Sequence, residues 1–362
     1  MTFAVAVNMP MAHSQSGVQL FGLLDAGVTY ASNRGGHDAV MFDSGIGSPT
    51  LFGLRGSEDL GGGSRTVFEL TSQFDMGNGA TIPGPGALFD RTALVGLAND
   101  RFGQITFGNQ YDFMTYSLTF KGLDSAMQYV GLYGFRQGPF NGLAIPNNPT
   151  GAFDFDRLAG AIRVNNSVRY QSISYAGLSF GAMYGLGNQP GAISRSGTVS
   201  FGLNYDHGPF GLGAAYVMVE YPSMDEGRDG IRNFGVGARY AFGAVKTNLL
   251  YTNTKNTLTG GQVDVFDIGV ETPIAGLWSV GGDYQFMKGN NQLDGNKAHE
   301  LGAMLRYSVS KRTSAYAEAV YQHTLGGTSG GHNAWINGLL GPDGGSDTSN
   351  QTLLRVGLQT VF

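Results

Sequence analysis

The 362-residue chain has no cysteine, few charged residues and no long uninterrupted apolar run. The absence of cysteine excludes a disulfide framework, a thiolate metal site and a catalytic thiol. Charged residues make up 14% of the chain, against about 25% in an average soluble domain. A soluble protein of this length would therefore have too few solubilising groups on its surface. No stretch reaches the 18 or so apolar residues that a membrane-spanning helix requires.

The charge balance and the mean hydropathy narrow the class further. A net charge of -5 argues against a general nucleic-acid-binding protein, which would carry a basic patch. Glycine contributes 59 residues, and aromatic residues make up 12% of the chain. The mean hydropathy of -0.09 is typical of a soluble protein, but also of a transmembrane β-barrel, in which lipid-facing and lumen-facing side chains alternate.

The first sixteen residues differ from the rest of the chain. Residues 3–7 form a short apolar run, and residues 12–14 (AHS) resemble the small-x-small site at which signal peptides are cleaved. We interpret residues 1–16 as the remnant of a secretory signal peptide, with a disordered extension as the alternative. Residues 17–362 are then expected to form a single barrel.

The dominant pattern from Val18 onward has a period of two. In one stretch, Phe266, Ile268 and Val270 alternate with polar residues such as Asp267. The same alternation recurs along the chain, for example in residues 199–205, 278–286, 301–307 and 354–362. Alternation of this kind predicts β-strands with one apolar face and one polar face.

Short and long connections separate the predicted strands. The seven short ones lie at residues 58–63, 99–103, 173–177, 206–210, 241–244, 272–276 and 309–313. The eight longer ones lie at residues 32–48, 76–89, 112–162, 187–196, 221–231, 254–262, 288–297 and 324–349. Short turns at one end and long loops at the other are typical of an outer-membrane barrel. We therefore predict an all-β fold, a transmembrane antiparallel β-barrel of 16 strands.

Aromatic residues near the strand ends predict two girdles at the membrane interfaces. Amphipathic rings favour the level of the lipid headgroups, so a barrel in a membrane carries them at both borders. The alternative is the ordinary aromatic core of a β-sandwich. The predicted membrane-facing girdle consists of Tyr30, Tyr240, Phe242, Tyr251, Trp278, Phe286, Tyr307, Tyr321 and Phe362.

Several blocks of the sequence resemble the general porins of β-proteobacteria and Neisseria. The blocks are LFGLLDAGVTY at 20–30, GLRGSEDLGGG at 53–63, LFDRTALVGL at 88–97, FGQITFGNQY at 102–111, RVNNSVRYQS at 163–172 and SKRTSAYAEAVY at 310–321. The resemblance implies a homotrimer in the outer membrane of a Gram-negative bacterium, surrounded by lipid and lipopolysaccharide. Each copy would hold a water-filled pore for passive diffusion of small hydrophilic solutes and ions, with no cofactor and no nucleic acid.

The resemblance also implies where the pore is narrowest. In these porins a long third loop folds into the lumen, and residues 112–162 correspond to it. Arginines on the barrel wall face carboxylates on that loop and set up a transverse electric field. The residues similar to these wall arginines, together with the carboxylates that the loop offers, give an expected constriction of Arg91, Arg163, Asp124, Asp154 and Asp156.

Further charged residues are expected to line the lumen because they alternate with apolar ones. Rings of such charges tune the ion preference of a pore, although many of them are expected to pair across strands or to hold loops in place. Leu51 and Asn109 stand where these porins often have arginine, which leaves the choice between anions and cations open. The predicted lumen-lining residues are Arg55, Arg65, Glu69, Arg169, Arg239, Glu300, Arg306 and Arg355.

Enzyme motifs are weak in this sequence. G-x-S-x-G occurs at 177–181 and 327–331, but glycine is abundant and neither match lies on the strand-to-helix turn of a nucleophile elbow. The histidines show no metal-ligand spacing, so we predict no catalytic residue and no metal site. A substrate-specific outer-membrane channel is the main alternative to a general porin, and an outer-membrane enzyme is the less favoured one.

Overall fold

Antiparallel strands dominate the computed structural model, which describes residues 17–82, 86–326 and 333–362. The predicted signal remnant at residues 1–16 lies outside the described residues. The strands are β1 (Gly17–Arg34), β2 (His37–Ser44), β3 (Leu51–Gly61), β4 (Ser64–Gln73), β5 (Thr92–Asn99), β6 (Gly103–Gln110), β7 (Val164–Gln171), β8 (Leu178–Gly185), β9 (Thr198–His207), β10 (Phe210–Glu220), β11 (Gly230–Phe242), β12 (Val245–Asn256), β13 (Gln262–Ala275), β14 (Trp278–Gly289), β15 (Lys297–Ser308), β16 (Thr313–Leu325) and β17 (Asn350–Val361).

The sheet closes on itself. From β3 to β17 each strand pairs with the next one along the chain, and β17 pairs with β1. Both β2 and β3 also pair with β1, β2 along residues 26–34 and β3 along residues 17–23. They are two segments of one strand, interrupted at residues 45–50. The seventeen segments therefore form a closed barrel of sixteen antiparallel strands, and the predicted fold class is confirmed.

The connections agree with the prediction except near the first hairpin. Each predicted short turn coincides with or overlaps a strand-to-strand connection. The long connection predicted at residues 32–48 is wrong, because β1 continues to Arg34 and a two-residue turn leads directly into β2. That turn consists of Gly35 and Gly36, whose φ angles of 56° and 92° are the positive values that a tight hairpin turn requires.

The two faces of the barrel wall differ as the alternation predicts. On β13, Phe266 and Ile268 are exposed, whereas Asp267 and Glu271 are buried. The exposed apolar face is the one that a barrel turns toward lipid. We call it the apolar face and the opposite one the polar face. The predicted girdle residues all belong to the apolar face and are exposed or half-buried: Tyr30, Tyr240, Phe242, Tyr251, Trp278, Phe286, Tyr307, Tyr321 and Phe362.

The long segment between β6 and β7 contains short helices instead of strands. Met114–Thr119 and Ala126–Val130 are π-helical, and Leu132–Gly134 and Asn141–Leu143 are 3-10 helices. Two more 3-10 helices, in other long loops, are Asp225–Gly227 and Asn291–Leu293. In the part of the chain that the structure describes, no helix has the length and apolar character needed to cross a membrane.

Candidate functional site

Glycines on the polar face of the wall allow the segment at residues 113–130 to approach closely. Gly181 and Gly202 are cross-strand partners, and a Cβ added to either would overlap the ring of Phe113. Further round the barrel, a Cβ at Gly269 would overlap the side chain of Ser125. We call these positions the glycine track; it consists of Gly181, Gly202, Gly213, Gly235, Gly237, Gly269, Gly281 and Gly302, on strands from β8 to β15.

Apolar side chains of the long segment pack between it and the wall. Phe113 and Leu118 are at most 1% exposed and belong to one apolar cluster with Val217 of β10. In a second cluster the rings of Phe140 and Phe155 meet edge to face, with their centres 5.7 Å apart. Full burial of each such side chain stabilises a fold by about 1.5–3 kcal/mol. The segment is therefore an integral part of the folded structure.

A fully buried arginine, Arg136, joins two parts of the long segment to the wall. Its guanidinium lies 2.5 Å from a carboxylate oxygen of Asp124 and 2.5 Å from one of Asp267 on β13. Its Nε is 3.7 Å from Asp156. Burial alone would lower the pKa of Arg136, but the three carboxylates raise it well above its usual value. The cluster therefore fixes the segment to β13 by charge as well as by packing.

Asp154 stabilises a turn within the segment. The backbone amides of Ala159 and Ala161 donate to its carboxylate at 2.8 Å and 3.0 Å. Burial and then the charge of Asp156 raise the pKa of Asp154 to about 7. Asp156 accepts a hydrogen bond from Thr252 of β12 at 2.9 Å, and burial raises its pKa to about 6.

These raised pKa values predict that the folded protein loses stability as the pH rises from 5 to 8. Between about pH 4 and pH 7 the folded state binds more protons at Asp154 than the unfolded state does, so stability falls with rising pH. Asp154→Asn is expected to reduce this fall, measured as the urea midpoint of unfolding at both pH values. Asp100→Asn, at an exposed carboxylate, should leave it as in the wild type. An equal fall in Asp154→Asn and wild type would contradict the assignment.

The predicted wall arginines lie on either side of Tyr111. The guanidinium carbons of Arg91 and Arg163 are 5.6 Å and 5.4 Å from the centre of its ring. Arg163 donates to the backbone carbonyl of Arg91 at 3.1 Å, and Arg91 donates to the side chain of Gln73. Burial lowers the pKa of Arg91 to about 10, so the side chain stays cationic at neutral pH.

The five predicted constriction residues lie in three separate groups in the structure. Arg91 and Arg163 share Tyr111, whereas Asp124 and Asp156 share an arginine of the segment itself. Asp154 is bound to backbone amides. Among the described residues, neither wall arginine forms an ion pair with these carboxylates. The partners of these carboxylates thus lie within the segment and at its anchor on the wall.

A cavity of about 850 Å³ lies beside the segment at the short-turn end of the barrel. Three of the predicted lumen-lining residues face it. Arg65 and Arg239 form ion pairs there with Asp100 and Asp206 at 2.7 Å and 2.6 Å, and Arg169 lies over the ring of Tyr116 at 3.7 Å. The charged side chains that line the cavity are Arg65, Lys121, Arg169, Arg239, Lys246, Asp100 and Asp206.

The other predicted lumen-lining residues differ in exposure. Glu300 and Arg355 are only 1% and 2% exposed, and Arg355 pairs with Asp25 at 3.1 Å. Both lie in the wall as buried partners of other side chains. The remaining three are half-buried on the polar face: Arg55, Glu69 and Arg306.

Reasoning from the sequence missed Arg136, Arg157 and the glycine track. Arg157 pairs with Asp112 at 2.6 Å and so closes the base of the long segment. For Arg136 and Arg157, the signal in the sequence was an arginine within an otherwise largely apolar segment, a position that demands a buried partner. The signal for the track was glycine at polar-face positions of successive strands, such as Gly235 and Gly237.

Comparisons with known proteins agree with this architecture. The sequence profile of the Gram-negative porin family matches residues 2–327. An outer membrane porin protein of Bordetella pertussis is 26% identical over 372 residues, covering 86% of this chain and 90% of that protein. Outer membrane porin protein 32 of Delftia acidovorans is 28% identical over 330 residues, covering 88% and 87%.

Solved structures share the fold. An anion-selective porin from Comamonas acidovorans superposes with a TM-score of 0.77 at 23% identity, over 96% of this chain and all of that one. Together with the barrel, the homologous outer membrane porins place the protein in the bacterial outer membrane. Because the family profile matches most of the length of this chain, the chain belongs to the Gram-negative porin family.

Proposed function

We propose that this porin allows passive diffusion of small hydrophilic solutes and ions, with residues 112–162 folded into the lumen as its constriction. The contacts of this segment with the polar face of the wall carry the proposal. Ser125 donates to Asp267 at 2.7 Å, and Asn204 on β9 donates to the backbone carbonyl of Ser117 at 2.7 Å. A segment attached to the polar face of successive strands would narrow the pore and so set an upper size for solutes.

The proposed filter is also electrostatic, with a preference for anions. The carboxylates Asp124, Asp154 and Asp156 of the long segment bind Arg136 or backbone amides and form no ion pair with the wall arginines Arg91 and Arg163 among the described residues. The cavity beside it carries more basic than acidic side chains. Charge of one sign between low-dielectric walls raises the local concentration of the opposite ion. The similar porin from Comamonas acidovorans is described as anion-selective, which is the ion preference proposed for this chain.

The assembly proposed for this porin is a homotrimer within the outer-membrane lipid. Porin monomers that turn part of their apolar face toward one another leave the rest to lipid, where aromatic girdles mark the two borders. Trp278 and Tyr307, whose ring centres are 4.7 Å apart, fit such a border at the short-turn end. Native mass spectrometry of the detergent-solubilised protein tests this assembly, and a monomeric mass would contradict it.

Recording from planar lipid bilayers tests the pore. We expect stepwise conductance and a reversal potential of the anion-selective sign in a salt gradient. Arg169→Gln with Arg239→Gln should lower the anion preference about fivefold, if each charge contributes about 0.5 kcal/mol at roughly 8 Å through water. The matched control is Lys311→Gln with Arg312→Gln, two exposed residues on a short turn away from the cavity.

Each outcome of the recording bears on a different part of the proposal. The absence of stepwise conductance would overturn the pore itself. An ion preference that the Arg169→Gln and Arg239→Gln substitutions leave unchanged would overturn the assignment of the filter to the cavity. Conductance that saturates with one solute would favour the alternative, a substrate-specific channel.

A further inference from the structure

Two histidines face each other across neighbouring strands on the apolar face of the wall. His299 of β15 and His323 of β16 are direct cross-strand partners. Alternation along each strand places both on the same face as the exposed residues Leu301 and Tyr321. Direct partners in an antiparallel pair have their Cβ atoms about 4.5–5.5 Å apart. Two imidazole rings on such a pair can therefore reach one ion between them.

A side-chain oxygen orients the imidazole of His323. Its Nδ1 lies 2.8 Å from Oδ1 of Asn350 on β17. That oxygen only accepts hydrogen bonds, and it also accepts one from the hydroxyl of Tyr321 at 2.7 Å. The amide nitrogen of Asn350 donates in turn to Ser349 at 3.2 Å. Nδ1 of His323 therefore carries the proton, which leaves the lone pair of the neutral ring on Nε2.

The imidazole of His299 has an equivalent partner. Its Nδ1 lies 2.7 Å from the hydroxyl of Tyr284 on β14. A tyrosine hydroxyl accepts as well as donates, so the same tautomer is available here, with Nδ1 donating and Nε2 free. The ring of Phe286 packs against His299 with the ring centres 5.0 Å apart. Metal-binding histidines are typically held in this way, by an oxygen at the ring nitrogen that does not bind the metal.

The histidine pair lies at the level of the aromatic girdle on the long-loop side. Phe286, a predicted girdle residue, is the direct cross-strand partner of His299. Tyr321, another girdle residue, lies two positions before His323 on the same face of β16. Amphipathic rings at this level meet the hydrated border of a membrane. Both histidines are half-buried, so a dissolved ion has access to them.

The surroundings of the pair favour a metal ion that prefers nitrogen ligands. Among the described residues no three histidine or carboxylate side chains come together to hold a metal ion, so the two imidazoles would share the ion with water. Imidazole suits Zn²⁺ and Cu²⁺, whereas Mg²⁺ and Ca²⁺ prefer oxygen ligands. Lys297 lies on the same face of β15, two positions from His299. An ion bound here must therefore gain enough from imidazole nitrogen to offset that positive charge.

We propose that His299 and His323 bind a divalent transition-metal ion, Zn²⁺ or Cu²⁺, through their Nε2 atoms, with water completing its coordination. The ion would join β15 to β16 next to the last long loop. The spacing of the histidines in the sequence predicted no metal site, because the two ligands lie on different strands and only the register of the sheet brings them together. The site lies on the apolar face, outside the proposed pore.

Titration of the full chain with Cu²⁺ in neutral detergent micelles tests the proposal, with electron paramagnetic resonance and calorimetry as readouts. We expect a Cu²⁺ spectrum with coupling to the nitrogen nuclei of two imidazoles. His299→Gln with His323→Gln should remove this spectrum. The matched control, His37→Gln with His207→Gln, replaces two histidines on other strands and should bind Cu²⁺ like the wild type. Equal Cu²⁺ affinity of the two double variants would overturn the proposal.

Three single variants that keep both histidines separate metal binding from a purely structural role of the pair. Tyr284→Phe and Asn350→Leu each remove an oxygen that orients one imidazole, and each should weaken Cu²⁺ binding about 10-fold. Lys297→Gln should tighten it about fivefold, the effect of one charge on a divalent ion at roughly 8 Å through water. Unchanged Cu²⁺ affinity in all three variants would refute the assignment of the two Nε2 atoms as ligands.

Competition between metal ions tests the kind of ligand. Zn²⁺ should displace Cu²⁺ when present in excess, because both ions bind imidazole nitrogen. Millimolar Mg²⁺ should leave the Cu²⁺ spectrum unchanged, because Mg²⁺ requires oxygen ligands. Displacement of Cu²⁺ by Mg²⁺ alone would indicate a site built from oxygen atoms and would overturn the proposal.

Discussion

Arg136→Met is expected to destabilise the folded porin by about 3–5 kcal/mol, the usual cost of removing one partner from a buried ion pair. Methionine fills similar space but leaves Asp124, Asp156 and Asp267 without their shared cation, and all three carboxylates are fully buried. Each of them must then take up a proton or remain as an uncompensated charge. Urea unfolding in detergent, followed by tryptophan fluorescence, measures the loss.

Two other substitutions make this test specific. Arg136→Lys keeps one positive charge but cannot reach carboxylates on three sides, because an ammonium group lacks the planar fork of a guanidinium. It should recover only part of the lost stability. Arg312→Met removes an exposed arginine from a short turn and should cost less than about 0.5 kcal/mol. If Arg136→Met unfolded at the same urea concentration as Arg312→Met, the anchoring role of Arg136 would be refuted.

The same substitution is expected to change the pore. Arg136 is the link through which Asp124 and Asp156 of the long segment reach β13. Without it, the segment would fluctuate against the wall, and the open-channel current should become noisier in bilayer recordings. If the open-channel current of Arg136→Met were no noisier than that of the wild type, packing on the glycine track alone would hold the segment.

Gly269→Val is expected to destabilise the porin by about 1–3 kcal/mol, the range for an overpacked site. A Cβ at this position would overlap the side chain of Ser125 and lie 2.9 Å from the ring of Tyr129. The helix at Ala126–Val130 would then have to lift from the wall. The hydrogen bond from Ser125 to Asp267 would be lost with it.

Ala303→Val is the matched control for Gly269→Val. Both substitutions add a valine to a strand at a position that now holds a small residue, but Ala303 faces outward and is exposed. We expect unfolding at a lower urea concentration and an altered single-channel conductance only in Gly269→Val. Equal behaviour of the two variants would show that the glycine track does not position the segment.

Charge and shape anchor the segment at neighbouring points, so the two substitutions should not be independent. Arg136 and Ser125 both bind Asp267. Residues that share a partner typically show coupling energies of 0.5–3 kcal/mol. The double variant Arg136→Met with Gly269→Val is therefore expected to lose less stability than the sum of the two single losses.

The barrel could be predicted from the sequence because side-chain direction along a strand is local. Residues such as Phe266 and Asp267 point to opposite faces whatever the distant parts of the chain do. Short turns and long loops are equally local signals. The first hairpin is the exception: the stretch at residues 32–48 was predicted as a long connection, although the Gly35-Gly36 pair within it is itself a turn signal.

The partners within the site could not be predicted in this way. Arg91 and Arg163 stood out through resemblance to porins, but their common contact with Tyr111 depends on where β5, β6 and β7 bring the loops. Asp124 and Asp156 were expected opposite those arginines. They meet Arg136 instead, and no spacing in the sequence distinguishes one arginine from another as their partner.

The amino-acid sequence by itself determined the closed barrel, its sixteen strands and the difference between its two faces, since period-two alternation acts residue by residue. Only the tertiary structure decided how residues 112–162 lie against the wall and which charges meet there. Those contacts join residues more than a hundred positions apart, such as Arg136 and Asp267. Their energies depend on burial and on distances of a few ångströms, which local sequence patterns do not encode.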